Sequence, residues 1–173
     1  CMAKFLDTFG ISNEIAQLIK SAKDKLYLIS PYLQIDERFK QMLEDKARMK
    51  LDIRIIYREN KLQLQENNWL KSLKLVRTSI CKNLHAKCYL NENEAIVTSM
   101  NLYKFSQDNN EEMGIVVFKS EDEKLYNDIY EEALRLDRSS EDIKATIEKI
   151  IPKEELNKNS QGHCIRCGER IKL

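Results

Sequence analysis

Apolar residues recur along the first half of the chain at spacings that alternate between a helical period and a strand period. A helix capped by Ser12 or Asn13 comes first, because apolar residues follow there at helical spacing. The same criteria then predict, in order, a strand over 25–30, a helix that begins at Asp36, a strand over 51–57, a helix over 64–72 and a strand over 73–78. This alternation is typical of an α/β sandwich with a parallel core.

The pattern changes in the second half of the chain. Two short strands, over 85–90 and 95–98, are joined by four polar residues, which indicates a β-hairpin. A polar loop then leads to a strand over 113–118, and helices are predicted over 121–136 and from Ser140 to just before Pro152. We therefore expect an α/β fold with a mixed, largely parallel sheet flanked by helices. Its domain should cover 1–152, and 153–173 should form a linker and tail.

Composition favours an ordinary globular protein. The 173 residues are 42% hydrophobic and 33% charged, and no apolar run approaches the ~18 residues that a membrane helix needs. Residues 2–7 carry charge at once, unlike a signal peptide, and the five cysteines are unevenly placed. We therefore expect a cytoplasmic protein with reduced cysteines and no membrane partner.

The charges are unevenly distributed, although the formal net charge is only +1. Residues 58–88 contain seven basic and two acidic side chains, whereas residues 91–142 contain fourteen acidic and five basic ones. A local basic segment in a nearly neutral protein can form a face that binds anions, but solvated charges can also fall unevenly by chance. Charge alone therefore leaves nucleic-acid binding open.

Polar side chains suited to phosphoryl transfer lie near the open end of the predicted hairpin. His85 and Lys87 are two residues apart at the start of the first strand, so both should project from one face. Ser99 and Asn101 are also two apart, just past the end of the second strand. An imidazole here can attack phosphorus or donate a proton, and the other three groups can bind phosphate oxygens. Glu112 could accept a hydrogen bond from the imidazole and fix its tautomer.

These residues resemble the motif of the phospholipase D superfamily, an H-x-K tripeptide followed by an Asp and then by a G-S-x-N segment. His85 and Lys87 match the tripeptide, and Glu92 falls where the family has Asp, a position with a mainly structural role. Residues 98–101 fall where the family has G-S-x-N, with Thr in place of Gly and one residue fewer in the intervening turn. Family nucleases carry a supporting acid further along, which falls on Glu112.

The resemblance implies a fold and a mechanism. The helix and strand pattern over 12–136 agrees with the family fold, and the motif occurs once, as in small members that are mostly nucleases with two paired subunits. One His85 would attack phosphorus and form a phosphohistidine, while the partner's His85 protonates the leaving oxygen and then activates water, without a metal. A lone imidazole cannot do both in one step, and the other histidine, His163, lies in the tail, so a C2 homodimer is expected.

Two further groups of residues are weaker candidates. Tyr32 and Arg58 each follow a predicted parallel strand, at the edge where α/β proteins bind ligands. Arg58 could bind a flanking phosphate, or it could be an ordinary surface arginine. In the tail, Cys164 and Cys167 form the C-x2-C half of a zinc ribbon. They either hold a structural zinc with ligands from elsewhere or are two free thiols.

The sequence therefore predicts a metal-independent endonuclease that acts as a homodimer, with DNA favoured over RNA by the resemblance alone. A catalytically degenerate member of the same fold, binding nucleic acid or protein, is the first alternative, and Thr98 in place of Gly supports it. The intact motif residues oppose it, namely His85, Lys87, Asn101 and Glu112. A phosphodiesterase acting on phospholipid is disfavoured, because the chain has neither a second motif nor an apolar surface helix of membrane type.

Overall fold

The computed structural model describes residues 3–58, 64–73, 75–103 and 110–142. The strands within these ranges are β1 (Lys4–Asp7), β2 (Lys25–Ile29), β3 (Leu33–Gln34), β4 (Asp52–Tyr57), β5 (Val76–Ile80), β6 (Cys88–Asn91), β7 (Glu94–Thr98), β8 (Leu102–Tyr103), β9 (Met113–Phe118) and β10 (Glu141–Asp142). The helices are α1 (Thr8–Ser21), α2 (Glu37–Arg48), α3 (Leu64–Ser72) and α4 (Glu123–Arg138). One sheet has the strand order β1-β9-β7-β6-β2-β4-β5-β10, and β3 pairs separately with β8.

Parallel pairing in the large sheet is confined to β2, β4 and β5. The other neighbouring pairs of that sheet are antiparallel. The expected α/β class and the mixed sheet are confirmed, but the sheet is less parallel than expected. The reason is that the whole hairpin side, from β6 to β1, runs antiparallel.

Residues 4–7 form a strand of the large sheet that the sequence pattern does not indicate. β1 pairs with β9 at the sheet edge, and Leu6 is its single buried residue, so no alternating pattern shows. The cap of α1 is Asp7, whose carboxylate accepts a hydrogen bond from the Gly10 amide at 2.8 Å. The predicted cap at Ser12 or Asn13 is therefore wrong, since both residues lie inside the helix.

Most other elements agree with the sequence prediction. α2 is capped by Asp36, whose carboxylate accepts a hydrogen bond from the Phe39 amide at 2.8 Å. α3 and β9 have the predicted bounds, and β6 and β7 form the predicted hairpin. These elements have strong local signals, namely an N-cap residue, an unbroken apolar strand or a polar turn.

Besides the start of α1, three boundaries differ from the prediction by three residues or in the type of element. β5 begins at Val76 rather than at residue 73, and β6 begins at Cys88, so that His85 precedes the strand. The helix predicted from Ser140 is wrong at its start, because the next two residues form β10 and pair with β5. Residues 143–173 lie outside the described part of the chain, so the predicted domain boundary after residue 152 stays a prediction.

The two faces of the sheet are covered by different helices. On one face, the buried amide of Asn91 ties β6 to α1 by donating to the Leu18 carbonyl and to the Ser21 hydroxyl, both at 2.9 Å. Neighbouring residues of a strand point to opposite faces, and on the other face α4 contributes Tyr126 and Ala133 to the core. The hairpin is therefore held between α1 and α4.

The turn of the hairpin is anchored by Glu92. Its carboxylate accepts hydrogen bonds from the backbone amides of Lys23, Asp24 and Lys25, at 2.9, 3.3 and 3.4 Å, in the loop between α1 and β2. Burial by itself would raise the pKa of Glu92, but these amide donors outweigh it and hold the pKa below its usual range. Glu92 therefore has the structural role that its place in the motif implied.

We expect Glu92→Ala to lower the free energy of unfolding by about 1–2 kcal/mol at neutral pH, because three amides lose a charged acceptor. The folded-state pKa is depressed, so this stabilisation is present above the unfolded-state pKa of about 4.3 and is lost as the pH falls through the folded-state pKa. Urea unfolding of wild type and variant, at neutral and at acidic pH, measures both effects.

The matched control is Glu131→Ala, which removes an exposed carboxylate from α4. It should change the free energy of unfolding by less than about 0.5 kcal/mol. An effect of Glu92→Ala that is the same at neutral and acidic pH would contradict this account of the turn.

Candidate active site

Several strand ends meet at one edge of the large sheet. Cys88, at the start of β6, pairs with Ile29 at the end of β2 and with Val97 near the end of β7. Thr98, the last residue of β7, pairs with Gly114 near the start of β9. The segments that precede β6, follow β7 and precede β9 therefore lie side by side. These three segments carry the five predicted catalytic residues.

His85 and Lys87 lie in the short segment before β6, and both line a cavity. The Lys87 ammonium donates a hydrogen bond to the backbone carbonyl of His85 at 3.0 Å. Burial lowers the pKa of Lys87, and the negative charge of Glu112 partly opposes that shift. The His85 side chain is exposed, and its imidazole makes no hydrogen bond within the described residues. A half-buried ammonium and an accessible imidazole therefore face the same space.

Ser99 and Glu112 are joined directly across the ends of β7 and β9. The Ser99 hydroxyl donates a hydrogen bond to the Glu112 carboxylate, and the Ser99 amide donates to the Met113 carbonyl at 3.0 Å. The Glu112 backbone is held by Thr8, whose hydroxyl accepts from its amide at 2.8 Å and donates to its carbonyl at 3.2 Å. The motif did not indicate Thr8, because its part in the site depends on the unpredicted pairing of β1 with β9.

The expected hydrogen bond between His85 and Glu112 is not formed within one chain. The Glu112 carboxylate instead accepts from Ser99 and, at 3.4 Å, from the Asn110 amide group. The strand order gives the reason. Glu112 precedes β9, which pairs with β7 and not with β6, so the serine that follows β7 is its nearer neighbour.

Asn101 lies in the segment that follows β7, two residues after Ser99. Its side-chain oxygen is buried and accepts no hydrogen bond from the part of the chain that the structure describes. Leaving a buried acceptor unpaired typically costs about 1–3 kcal/mol. The backbone beside it is fixed, because the Leu102 amide donates to the Ser30 hydroxyl, at the end of β2, at 3.0 Å.

The cavity beside His85 and Lys87 has a volume of about 560 Å³ and lies between the hairpin end and α4. That volume falls within the ~300–1,000 Å³ of ligand-binding pockets. Its apolar walls come from the sheet and from α4, through Ile29, Val97, Ile129, Ala133 and Leu136.

Two carboxylates of α4, those of Asp128 and Glu132, also line the cavity. Each is paired with a cation of the same helix, Lys124 at 2.7 Å and Arg135 at 2.6 Å, so their charges are partly neutralised. The motif gave no indication of this wall. The one signal in the sequence was the amphipathic period of the helix. That period predicts that one face of the helix is buried, but it does not predict which strand ends the face covers.

The two weaker candidates lie at the same edge of the sheet but do not line the cavity. Tyr32 follows β2 and Arg58 follows β4, and the Arg58 amide donates to the Pro31 carbonyl at 3.4 Å. Because β2 separates β4 from β6, Arg58 lies two strands from the segment that carries His85 and Lys87, roughly 10 Å across the sheet.

Metal ligands are not assembled in the described ranges, where no group of three or more His, Cys, Asp or Glu side chains could hold an ion. Cys164 and Cys167 lie outside those ranges, so the structural zinc stays a prediction. Among the helices that the structure describes, none is both long enough and apolar enough to cross a membrane.

Comparison with known proteins places this site in a family context. Residues 15–134 match the family described as cardiolipin synthase, PLD-like domain. No curated protein matches the chain.

Solved structures share the fold. Nuc from Salmonella typhimurium, a phospholipase D family member, is 15% identical with a TM-score of 0.69, covering 81% of this chain and 96% of that one. NucT from Helicobacter pylori is 15% identical with a TM-score of 0.70, covering 82% and 99%. TrmBL2, an archaeal chromatin protein with a novel mode of DNA binding, is 9% identical with a TM-score of 0.64, covering 83% and 54%.

Proposed function

This chain belongs to the family of PLD-like domains described for cardiolipin synthase, and from that premise we propose that it hydrolyses phosphodiester bonds. The proposed substrate is nucleic acid, with DNA favoured over RNA. The proposed active species is a homodimer that needs no metal for catalysis. The observation that carries the proposal is the cavity into which the exposed imidazole of His85 and the half-buried ammonium of Lys87 both face.

The reaction follows from what these groups can do to a phosphodiester. A nitrogen of His85 attacks phosphorus, the bond to the leaving oxygen breaks, and a phosphohistidine forms. The Lys87 ammonium and the Asn101 amide stabilise the charge on the phosphoryl oxygens. Ser99 is engaged with Glu112 and would have to turn its hydroxyl to reach the same oxygens. A second imidazole protonates the leaving oxygen and then removes a proton from the water that breaks the P–N bond.

We propose that the second imidazole is the partner's His85, brought in by a two-fold axis. The other histidine of the chain, His163, lies in the tail and outside the described residues. The same arrangement would let the partner's Glu112 orient His85, a hydrogen bond that one chain does not make by itself. The dimer thus supplies both the second imidazole and the carboxylate that orients the first one.

An exposed apolar surface beside the cavity supports this pairing. Phe5, Ile115 and Val97 are directly opposite one another on β1, β9 and β7, so their side chains share one face of the sheet. They are 66%, 38% and 40% exposed, and Met113, two residues from Ile115 on the same face, is 65% exposed. Val97 also lines the cavity with His85. Contiguous apolar surface is typical of protein interfaces, so we propose that a second copy covers this apolar row.

Charge at the same edge of the sheet favours nucleic acid as the substrate. Arg58, Lys82 and Lys87 lie in segments at this edge, after β4, after β5 and before β6. They belong to the basic segment over 58–88, and cations that track a phosphate backbone supply most of non-specific nucleic-acid affinity. The single copy of the motif, which resembles that of small family nucleases, and the DNA binding of TrmBL2 point in the same direction.

Two observations favour phospholipid as an alternative substrate. The cavity beside His85 has largely apolar walls, which could hold the apolar part of a lipid, and the family description names cardiolipin synthase. The other alternative is a catalytically degenerate module that binds nucleic acid without cutting it. The assays below distinguish all three functions.

We expect the wild-type protein to nick supercoiled plasmid in the presence of a chelator and His85→Ala to abolish nicking. Lys87→Ala should reduce the rate by at least about a hundredfold, the loss typical of one preorganised donor in a transition state. The control is Lys20→Ala, which removes an exposed lysine at the end of α1, at the opposite edge of the sheet, and should leave the rate unchanged. A loss below tenfold for Lys87→Ala would place Lys87 outside the site.

Three outcomes would contradict the proposal. Hydrolysis of phospholipid vesicles without nicking would make phospholipid the substrate. Retention of plasmid in a gel shift, with no cleavage of plasmid, RNA or vesicles, would identify a binding module. Undiminished nicking by His85→Ala would remove His85 from the mechanism.

The apolar row gives a second prediction, on assembly. We expect Ile115→Glu to yield monomers in sedimentation velocity and to lose nicking activity, because a charge in a buried interface is strongly unfavourable. Leu125→Glu on α4 is the matched control: it adds the same charge at a side chain of similar exposure, 36% against 38%, outside the apolar row. Thermal melting checks that both variants fold. A dimeric Ile115→Glu, or an active monomeric wild type, would contradict the proposal.

A further inference from the structure

Thr98 stands where the family motif has Gly, and its side chain connects the segments that form the site. The Thr98 hydroxyl donates a hydrogen bond to the Met113 carbonyl at 2.9 Å and accepts one from the Met100 amide at 3.1 Å. The Thr98 backbone amide donates to the Lys87 carbonyl at 3.3 Å. One residue therefore bonds to the segment before β6, to the loop after β7 and to the start of β9.

The space for this side chain is provided by Gly114, which lies directly opposite on β9. A Cβ atom at position 114 would come within 2.8 Å of the Thr98 Cβ, 2.9 Å of its Oγ1 and 3.0 Å of the Val97 carbonyl oxygen. Those separations are shorter than packed atoms tolerate, so glycine here marks a close approach of the neighbouring strand. Thr98 and Gly114 are thus a complementary pair.

The two residues bonded by the Thr98 hydroxyl are chain neighbours of the chemical groups. Met100 lies between Ser99 and Asn101, and Met113 follows Glu112. Met100 is fully buried, its amide is bound by Thr98, and its carbonyl accepts from the buried Tyr89 hydroxyl at 2.8 Å. Both backbone polar groups of Met100 are therefore hydrogen-bonded, and Thr98 supplies one of these two hydrogen bonds.

We propose that Thr98 is a positioning residue of the site. Its hydroxyl fixes the loop that carries Ser99 and Asn101 against the start of β9, which sets the contact of Ser99 with Glu112. Glycine at position 98 would leave the buried Met100 amide without this acceptor and would free the loop backbone. The effect on reaction rate rests on the function proposed above, whereas the effect on the loop does not. By itself, the replacement of the motif Gly by Thr98 suggests a degenerate site. Its hydrogen bonds instead stabilise the arrangement of the site residues.

Two substitutions separate the hydroxyl from the shape of the side chain. Thr98→Val keeps the branched shape above Gly114 and removes both hydroxyl hydrogen bonds, while Thr98→Ser keeps the hydroxyl. With bis(p-nitrophenyl) phosphate as substrate, we expect Thr98→Val to lower kcat about ten- to hundredfold with little change in KM, because a misplacement of about 1 Å can cost that much. Thr98→Ser should keep kcat close to wild type. Equal kcat for Thr98→Val and wild type would overturn the proposal.

Amide hydrogen exchange provides a measurement that does not depend on catalysis. The Met100 amide should exchange at least about tenfold faster in Thr98→Val than in wild type, while the amides of the central strand β2 keep their protection. Unchanged exchange at Met100 would overturn the positioning role even if activity fell. If the wild type cut no phosphodiester, the function proposed above would fail, and faster Met100 exchange would still establish that Thr98 fixes the loop.

The glycine partner is tested by a double-mutant cycle. Gly114→Ala should lower the melting temperature, because its Cβ meets Thr98, and adding Thr98→Gly should recover part of the loss, because the contact with Thr98 is then relieved. Additive effects of the two substitutions would show that the residues are not a complementary pair.

Discussion

The antiparallel register that joins β6, β7 and β9 is the constraint on which the site depends. A slip of one residue would turn every side chain of a strand to the other face, so the buried faces of these strands fix the register strongly. At the closed end of the hairpin, Glu92 and Asn91 bind backbone groups of α1 and of the loop that follows it. At the open end, the Thr98 hydroxyl forms hydrogen bonds with the start of β9 and with the loop after β7. The segments that leave the open end carry the five candidate residues.

The far wall of the cavity depends on a different interaction. Arg54 on β4 donates to the Asp137 carboxylate near the end of α4, at 2.5 Å, and is itself bound to Asp52 at 2.8 Å. This ion pair and the packing of Tyr126 hold α4 against the sheet. The cavity therefore has one wall fixed by strand register and one fixed by helix docking. Val97 belongs both to the cavity lining and to the apolar row, so the candidate residues lie close to the surface proposed for the second subunit.

Local signals made most of the fold predictable, and long-range pairing made the rest unpredictable. Asp36 and the polar hairpin turn mark their elements within a few residues of sequence, whereas β1 has one buried residue and is a strand because it pairs with β9, more than a hundred positions away. The motif spacing pointed to the three neighbouring segments that carry the five candidate residues. It could not indicate Thr8 or the α4 wall, nor that Glu112 would bind Ser99 rather than His85, since these depend on strand order.

The central claim is that one catalytic centre uses His85 from two chains. Equal amounts of wild-type and His85→Ala subunits, scrambled into mixed dimers, test it most directly, with any phosphodiester that the wild type cuts. Random pairing leaves about a quarter of the dimers with both histidines, so a shared two-fold site predicts about a quarter of the activity of the same total amount of wild-type protein. Activity near one half would mean that each subunit works alone, and would contradict the shared site.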